Sequence, residues 1–315
     1  MMREGVVAGG LAGAPFPMTL ISHHKSPFRL LHISRTVVRS GCRERNLNGS
    51  KYWDKFYKLH SNKFFKDRHY LEKDWGSYFL PENDDASSVG KVLLEVGCGA
   101  GNTVFPLVAA FPGLFVHACD FSHEAVSLVK SHKDFTEDRI NAFVCDVTKD
   151  DLSEKIMRSS VDVMTLVFVL SAVSPENMHL ILKNVKKILK PTGYVLLRDY
   201  AEGDYAQAKL ESKNQAIGEN FYVRRDGTYS YFFSQDTMLK LFKDSGYRNL
   251  DIDVYYKKIE NRSRRVIMER RWIRAIFRSI DSEQQQVDTG TGTTKSQTNL
   301  VDSAGQNVRG AGNIF

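Results

Sequence analysis

KVLLEVGCGAGN, residues 91–102, is the stretch on which the reading of the whole chain turns. KVLLEVG is a short apolar run of strand length that ends in Gly97, Gly99 and Gly101. Glycines so spaced let a chain turn sharply out of a strand and bring its backbone close to a ligand. The dinucleotide fingerprint GxGxxG wants its third glycine one residue later, where Asn102 stands. NTVFPLVAAF (102–111) then reads as a helix.

Working outward, apolar runs and helical patterns alternate. LFVHACD (114–120) predicts a strand and HEAVSLVKSH (123–132) a helix. INAFVCD (140–146) predicts a strand, with a helix near 150–158. VDVMTLVFVL (161–170) is the next strand, and PENMHLILKNVKKILK (175–190) a helix stopped by Pro191 and Gly193. YVLLRDY (194–200) is a further strand. Such alternation means an α/β fold, a parallel sheet with helices on both faces, whose ligands bind at the carboxyl ends of the strands. After residue 200 the pattern changes. YSYFF (229–233), a helix in DTMLKLFKDSGY (236–247), LDIDVYYKKIE (250–260) and RVIMERRWIRAIF (265–277) read as an antiparallel closure of the sheet edge. In the last segment Val266, Met268, Trp272 and Ile276 fall only roughly on one face.

GxGxG preceded by an acid, here Glu95, resembles the arrangement in S-adenosylmethionine-dependent methyltransferases. Asp120 ends the second strand, where a carboxylate can accept both hydroxyls of a ribose. Asp146 ends the third, where a carboxylate can accept an adenine amine, and Val167 in the fourth offers an apolar wall. A dehydrogenase would also want an acid at 120, but nothing supplies a pyrophosphate site or a nicotinamide pocket.

Composition bounds the partners. An apolar fraction of 42% can supply a real core, and the formal net charge of +7 suits an anionic partner. Cys42, Cys98, Cys119 and Cys145 show neither CxxC spacing nor a neighbouring His cluster, so neither a zinc site nor a disulfide framework is expected, and no metal. The longest apolar run, MTLVFVLSAV (164–173), is roughly half a membrane span, so no membrane segment is expected. Residues 1–50 are basic and poor in acids. FRLLHISRTVVRSGCR (28–43) reads either as an organellar transit peptide or as a disordered basic arm, leaving a cytoplasmic or a mitochondrial or plastid location. Residues 279–315 form a polar tail too poor in apolar groups to fold. The folded unit is then 51–278.

KYWDKFYKLHSNKFFKDRHY (51–70) places Trp53, Phe56 and Tyr57 on one helix face. Phe56 suits core packing. Trp53 and Tyr57, each with a polar handle, suit a lid over the cofactor. Lys66, Arg68 and His69 mix charge with aromatics in a way that fits phosphates and a splayed base. GENFYVRRDGTYSYFF (218–233) offers Tyr222, Arg224, Arg225 and Tyr231 for the same purpose, or as ordinary hairpin packing.

These segments, with CDFSHEAVSLVK, CDVTKDDL, VFVLSAVSPENMHLILKNVKKILKPTGYVLLRDY and NRSRRVIMERRWIRAIF, resemble the tRNA N3-methylcytidine methyltransferases over about 51–278. The resemblance implies a seven-stranded, Rossmann-like class I methyltransferase sheet with an amino-terminal lid helix. It implies S-adenosyl-L-methionine held by Trp53, Tyr57, Gly97, Asp120, Asp146 and Val167, with Gly99 and Gly101 completing the turn. It implies cytidine 32 of the tRNA anticodon loop as target, and the carboxyl-terminal hairpin looks more like the branch acting on threonine and arginine tRNAs. An aminoacyl-tRNA synthetase or accessory protein is a conceivable partner. Asp199, at the end of the fifth strand, is the candidate carboxylate for a ring that becomes cationic, and Arg198 could contact cytosine O2 or brace the sheet. Two other readings stand beside this one: a small-molecule or protein methyltransferase on the same fold, and an idle RNA-binding scaffold.

Overall fold

The computed structural model describes residues 49–81, 90–261 and 265–280. The expectations for 1–48 and 281–315 lie outside them.

Helix α1 (49–60) leads through a single 3₁₀ turn (Ser61–Lys63) to α2 (Tyr70–Phe79). The alternating core follows as β1 (Val92–Val96), α3 (Val104–Ala110), β2 (Phe115–Asp120), α4 (His123–Lys130), β3 (Ile140–Val144), β4 (Val161–Val167), α5 (Pro175–Lys186) and β5 (Leu189–Tyr200). Next come α6 (Tyr205–Glu211), β6 (Ala216–Gly218), β7 (Phe221–Val223), β8 (Tyr229–Tyr231), α7 (Gln235–Asp244), β9 (Tyr247–Asn261) and β10 (Val266–Ser279). Seven strands form one sheet in the order β3-β2-β1-β4-β5-β10-β9. The first five run parallel, and β10 is antiparallel to both of its neighbours. β1 pairs with β2 on one side and β4 on the other. The chain therefore reverses its direction of growth there, and the crossovers part to leave a crevice beyond the strand ends.

Local chemistry accounts for the helices. Pro175 opens α5 after Ser174, and Met178, Ile181, Leu182 and Val185 recur at three- and four-residue spacing and are buried. They pack with Met164, Leu166 and Leu197 on one face of the sheet, together with Met238 and Phe242 of α7. On the other face Leu71 and Trp75 of α2 and Val104 and Leu107 of α3 cover Leu93, Val163 and Leu196. Both faces of the parallel part of the sheet are covered, which is why those strands read as continuous apolar runs.

Three expectations are corrected. The helix near 150–158 is only a 3₁₀ turn at Leu152–Glu154. The Asn184 side chain accepts from the Leu152 N–H and donates to the carbonyls of Val147 and Asp150, satisfying that backbone without a helix. The helix expected to reach residue 190 ends at Lys186, and Pro191 and Gly193 lie inside β5. A register shift between Val161 and Val163 of β4 absorbs the proline, which has no N–H to pair. YSYFF does not join the closing hairpin, since β8 belongs to a separate three-stranded sheet, β6-β7-β8. The hairpin is β9 with β10, and its irregularity is a bulge opposite Ile276 and Phe277. β10 itself alternates cleanly: Ile273, Ala275 and Phe277 join one core cluster and Ile276 the other.

Candidate active site

The turn after β1 meets the sequence expectation in backbone terms. Gly97, Gly99 and Gly101 have φ of 65°, 54° and 88°, a region L side chains rarely adopt. A β-carbon on Gly97 would lie 2.7 Å from Val169, so the loop after β4 closes directly on this turn. Asp120, at the end of β2, accepts from the N–H of Gly99 (3.0 Å) and of Ser122 (2.9 Å), one on each oxygen. Burial pushes its carboxyl up to about 6, against the pull of those two N–H groups. Each oxygen keeps a second lone pair for a hydroxyl donor.

Asp146 stands two residues beyond β3 and accepts from the Thr148 hydroxyl and Lys149 Nζ, both at 2.6 Å. Burial pushes its carboxyl up, but Lys149 and Thr148 outweigh that and hold it below the ordinary carboxylate range. Val167 is buried at the end of β4. Gly97, Asp120, Asp146 and Val167 line one cleft with Trp53 and Tyr57 of α1. Trp53 and Tyr57 stack at 5.9 Å, and Phe56 packs edge-on against both. Helix α1 is tethered by Asp54, which accepts from the hydroxyl of Ser122 (2.6 Å). The same hydroxyl accepts from the N–H of Ala125 and caps α4.

The proposed substrate residues divide. Lys66 and His69 are exposed. Arg68, expected to grip phosphate, instead lines the cleft, donates to the Thr103 hydroxyl (2.8 Å) and faces the Glu95 carboxylate at 3.7 Å. Glu95 is fully buried, bonded by the Thr165 hydroxyl. Burial pushes its carboxyl up to about 7, with Arg68 opposing. Its other oxygen, Oε1, has no hydrogen-bond donor.

Neither β5 candidate reaches the cleft. Arg198 makes an ion pair with Asp74 at 3.0 Å and lies over the rings of Tyr70 (4.3 Å) and Trp272 (5.3 Å), so it braces α2 against the hairpin. Asp199 is fully buried on the opposite face, accepting from the N–H of Ser171 (3.0 Å) and of Tyr200 (2.8 Å). Burial pushes it up to about 6. Its carboxylate anchors the turn Leu170–Ala172, and Ala172, Val173 and Ser174 line the cleft in its stead. Tyr222 is also buried, its hydroxyl donating to Glu211 at 2.7 Å, so it packs the small sheet and does not stack on a base. Arg224 donates to the Ser230 hydroxyl at 3.2 Å and lies 5.8 Å from the Tyr200 ring, while Arg225 is exposed.

Sequence reasoning missed how the cleft is roofed. Gly227, with φ of 88°, turns β7 into β8 so tightly against α1 that a β-carbon there would lie 2.6 Å from the Tyr52 ring. Gly227, Thr228 and Tyr229 complete the lining. The RRDGT turn was the one available signal. The cleft thus offers a glycine cradle without β-carbons, two carboxylates at strand ends, an apolar wall and an aromatic lid, a donor set that fits an adenosyl group.

A methyltransferase-domain family model matches residues 94–195, from the middle of β1 to Val195 of β5. The tRNA N(3)-cytidine methyltransferase METTL6 of Rattus norvegicus is 43% identical over 72% of this chain and 78% of its own. The tRNA N(3)-methylcytidine methyltransferase trm141 of Schizosaccharomyces pombe is 37% identical over 73% of this chain and 92% of its own. This chain belongs to the tRNA N(3)-cytidine methyltransferase family. METTL2 of Danio rerio, 39% identical over 73% of this chain and 74% of its own, is a further member. The family's sheet is a widespread one. An Anabaena variabilis SAM-dependent methyltransferase superposes with a TM-score of 0.56 at 16% identity, over 73% of this chain and 93% of that one.

Proposed function

We propose that this member of the tRNA N(3)-cytidine methyltransferase family methylates N3 of cytidine 32 in the tRNA anticodon loop. The observation that carries it is the convergence of the glycine turn, Asp120, Asp146 and Val167 beneath Trp53 and Tyr57. Bound there, S-adenosylmethionine supplies an electrophilic methyl group on a sulfonium sulfur. Asp120 accepts the ribose hydroxyls, Asp146 the adenine amine, and the lid excludes water. Cytosine N3 carries an in-plane lone pair at neutral pH, so positioning and electrostatics supply most of the rate and no strong base is needed. In a duplex that nitrogen is hydrogen-bonded, which makes an unpaired loop the accessible target.

In this reading Lys66, His69 and Arg225, all exposed, meet the phosphates of the anticodon arm, the first two from the segment after the lid helix and the third from the turn between β7 and β8. Threonine and arginine isoacceptors are the ones the carboxyl-terminal hairpin sequence favours, with serine isoacceptors as the deciding control. A synthetase or accessory protein that delivers the tRNA, and import into an organelle by residues 1–50, are further parts of this reading. A fluorescent protein fused to 1–50 that stays diffuse in the cytosol would remove the last of these.

The test of the reaction is nucleoside mass spectrometry of unmodified tRNAs incubated with the protein and methyl-labelled cofactor. Label in N3-methylcytidine from the anticodon loop is expected. Label in another nucleoside, or none in tRNA, overturns the reading.

A further inference from the structure

Phe168 follows β4 with φ of 60°, a left-handed conformation that is an outlier for a bulky aromatic residue. The other described non-glycine residues with positive φ are Ser61, Ser159, Asn214, Asn220 and Arg265. None of those lines the cleft, and Phe168 does. The surroundings impose its conformation from both sides. Its N–H donates to the Arg198 carbonyl at 2.8 Å, continuing the β4–β5 ladder, while the next residues must turn into the 3₁₀ segment Leu170–Ala172 that Asp199 anchors. Backbone strain of this kind persists where the structure over-determines it, and it gathers at functional sites.

The ring is half-buried, with a cation over one face and a tilted aromatic ring beside it, so a base would stack on the face turned away from Arg68. The Arg68 guanidinium lies 5.8 Å from its centroid and the Tyr200 ring 5.0 Å away at 47°. It adjoins Val167, the wall for the adenine, so it stands at the carboxyl end of β4. It lines the same cleft as Gly97, Asp120, Trp53 and Tyr57.

Building on the cytidine reading above, we propose that Phe168 is the stacking platform for the target cytosine. A base drawn out of an anticodon loop loses its stacking partners, and an aromatic face restores them. The reaction sharpens the demand, since N3 methylation turns a neutral ring into a cation. An aromatic face attracts a cation more than the neutral base, so the platform favours the transition state over the ground state. The same face then holds the cationic product until the lid opens.

A cycle between residue and base tests this without relying on turnover. Anticodon stem-loop RNA, with cytidine or an abasic unit at the target position, is titrated against the full chain saturated with S-adenosylhomocysteine. Removing the base should weaken wild-type binding about tenfold and Phe168→Leu binding less than about twofold, because leucine keeps the bulk but lacks the π face. Phe168→Tyr should restore the wild-type penalty. In steady state Phe168→Leu should raise KM for RNA and lower kcat by a larger factor than it changes the dissociation constant for the cofactor, which is measured alongside. An equal abasic penalty in wild type and Phe168→Leu overturns the platform. Wild-type production of N3-methylcytidine judges the cytidine reading separately, so the two failures are told apart.

Discussion

The hydroxyl of Tyr57 sits so close over Gly99 that a β-carbon on the glycine would lie 2.6 Å from it. Lid and glycine turn are therefore fitted to each other, and the cleft is shaped by the absence of one methyl group. Gly99→Ala would add that methyl and force a non-glycine residue to φ of 54°. The lid should be displaced, and affinity for S-adenosylmethionine should fall by at least about tenfold, equivalent to about 1.4 kcal/mol. Isothermal calorimetry reads this directly, and an unchanged dissociation constant would show that the contact does not shape the site.

Asp120→Ala removes the acceptor at the end of β2 while leaving the sheet pairing of Asp120 intact. Each hydrogen bond to a charged group is worth about 1.5–3 kcal/mol, so cofactor affinity should fall at least about tenfold. Circular dichroism should show the fold retained. Cofactor binding at wild-type strength would exclude this cleft as the adenosyl site.

Burial raises the carboxyls of Glu95, Asp120 and Asp199 to about 7, 6 and 6. The folded chain then holds protons that the unfolded chain has already released. Their favourable contribution is complete below the unfolded values, near pH 4, and is lost as pH rises through 6 and 7. Melting temperature of the cofactor-free protein should therefore decline from about pH 5 to about pH 8, and Asp120→Asn or Glu95→Gln should flatten the decline. A scanning-fluorimetry curve that climbs across this window would contradict the burial of these groups.

Lys66 and Arg68, neighbours in sequence, should separate in experiment. Arg68→Ala removes the cation that favours ionised Glu95 together with the Thr103 hydrogen bond, and should lower the melting temperature measurably, more at pH 8 than at pH 6, where Glu95 takes up a proton instead. Lys66→Ala should leave the melting temperature within about one degree, weaken tRNA binding and flatten its salt dependence, because phosphate contacts release counterions. Equal losses of stability in both variants would mean that Lys66 is also structural.

The Tyr52–Gly227 contact joins α1 to the β7–β8 turn across the top of the cleft. Tyr52→Ala should loosen this roof and speed cofactor release several-fold, with the equilibrium fold unaffected. Stopped-flow displacement measures the rate, and an unchanged value would place the roof elsewhere.

Residues 91–200 were legible because each piece of information was local. Glycine spacing, strand-end acids and apolar runs are properties of a few adjacent residues, and α/β alternation converts their order into spatial neighbourhood. Asp120, Asp146 and Val167 could be placed together for that reason. The boundary of α5 and the turn near 152 were misread because distant groups settle them: Asn184 satisfies a backbone 32 residues away, and a register shift in β4 accommodates Pro191.

Sequence by itself determined the order of the strands' chemistry, the cofactor class and the family. Tertiary structure alone decided which charged residues face the cleft. Arg198 and Asp199 are adjacent, yet pleating sends one to Asp74 and the other to Ser171, and neither lines the cleft. Arg68 is drawn inward toward Glu95, whose burial is offset by that cation, by the Thr165 hydroxyl and by a raised carboxyl, an arrangement that no local pattern reveals. Phe168 likewise gains its place from two anchors, the Arg198 carbonyl and the Asp199-held turn, which meet only when β4 lies beside β5.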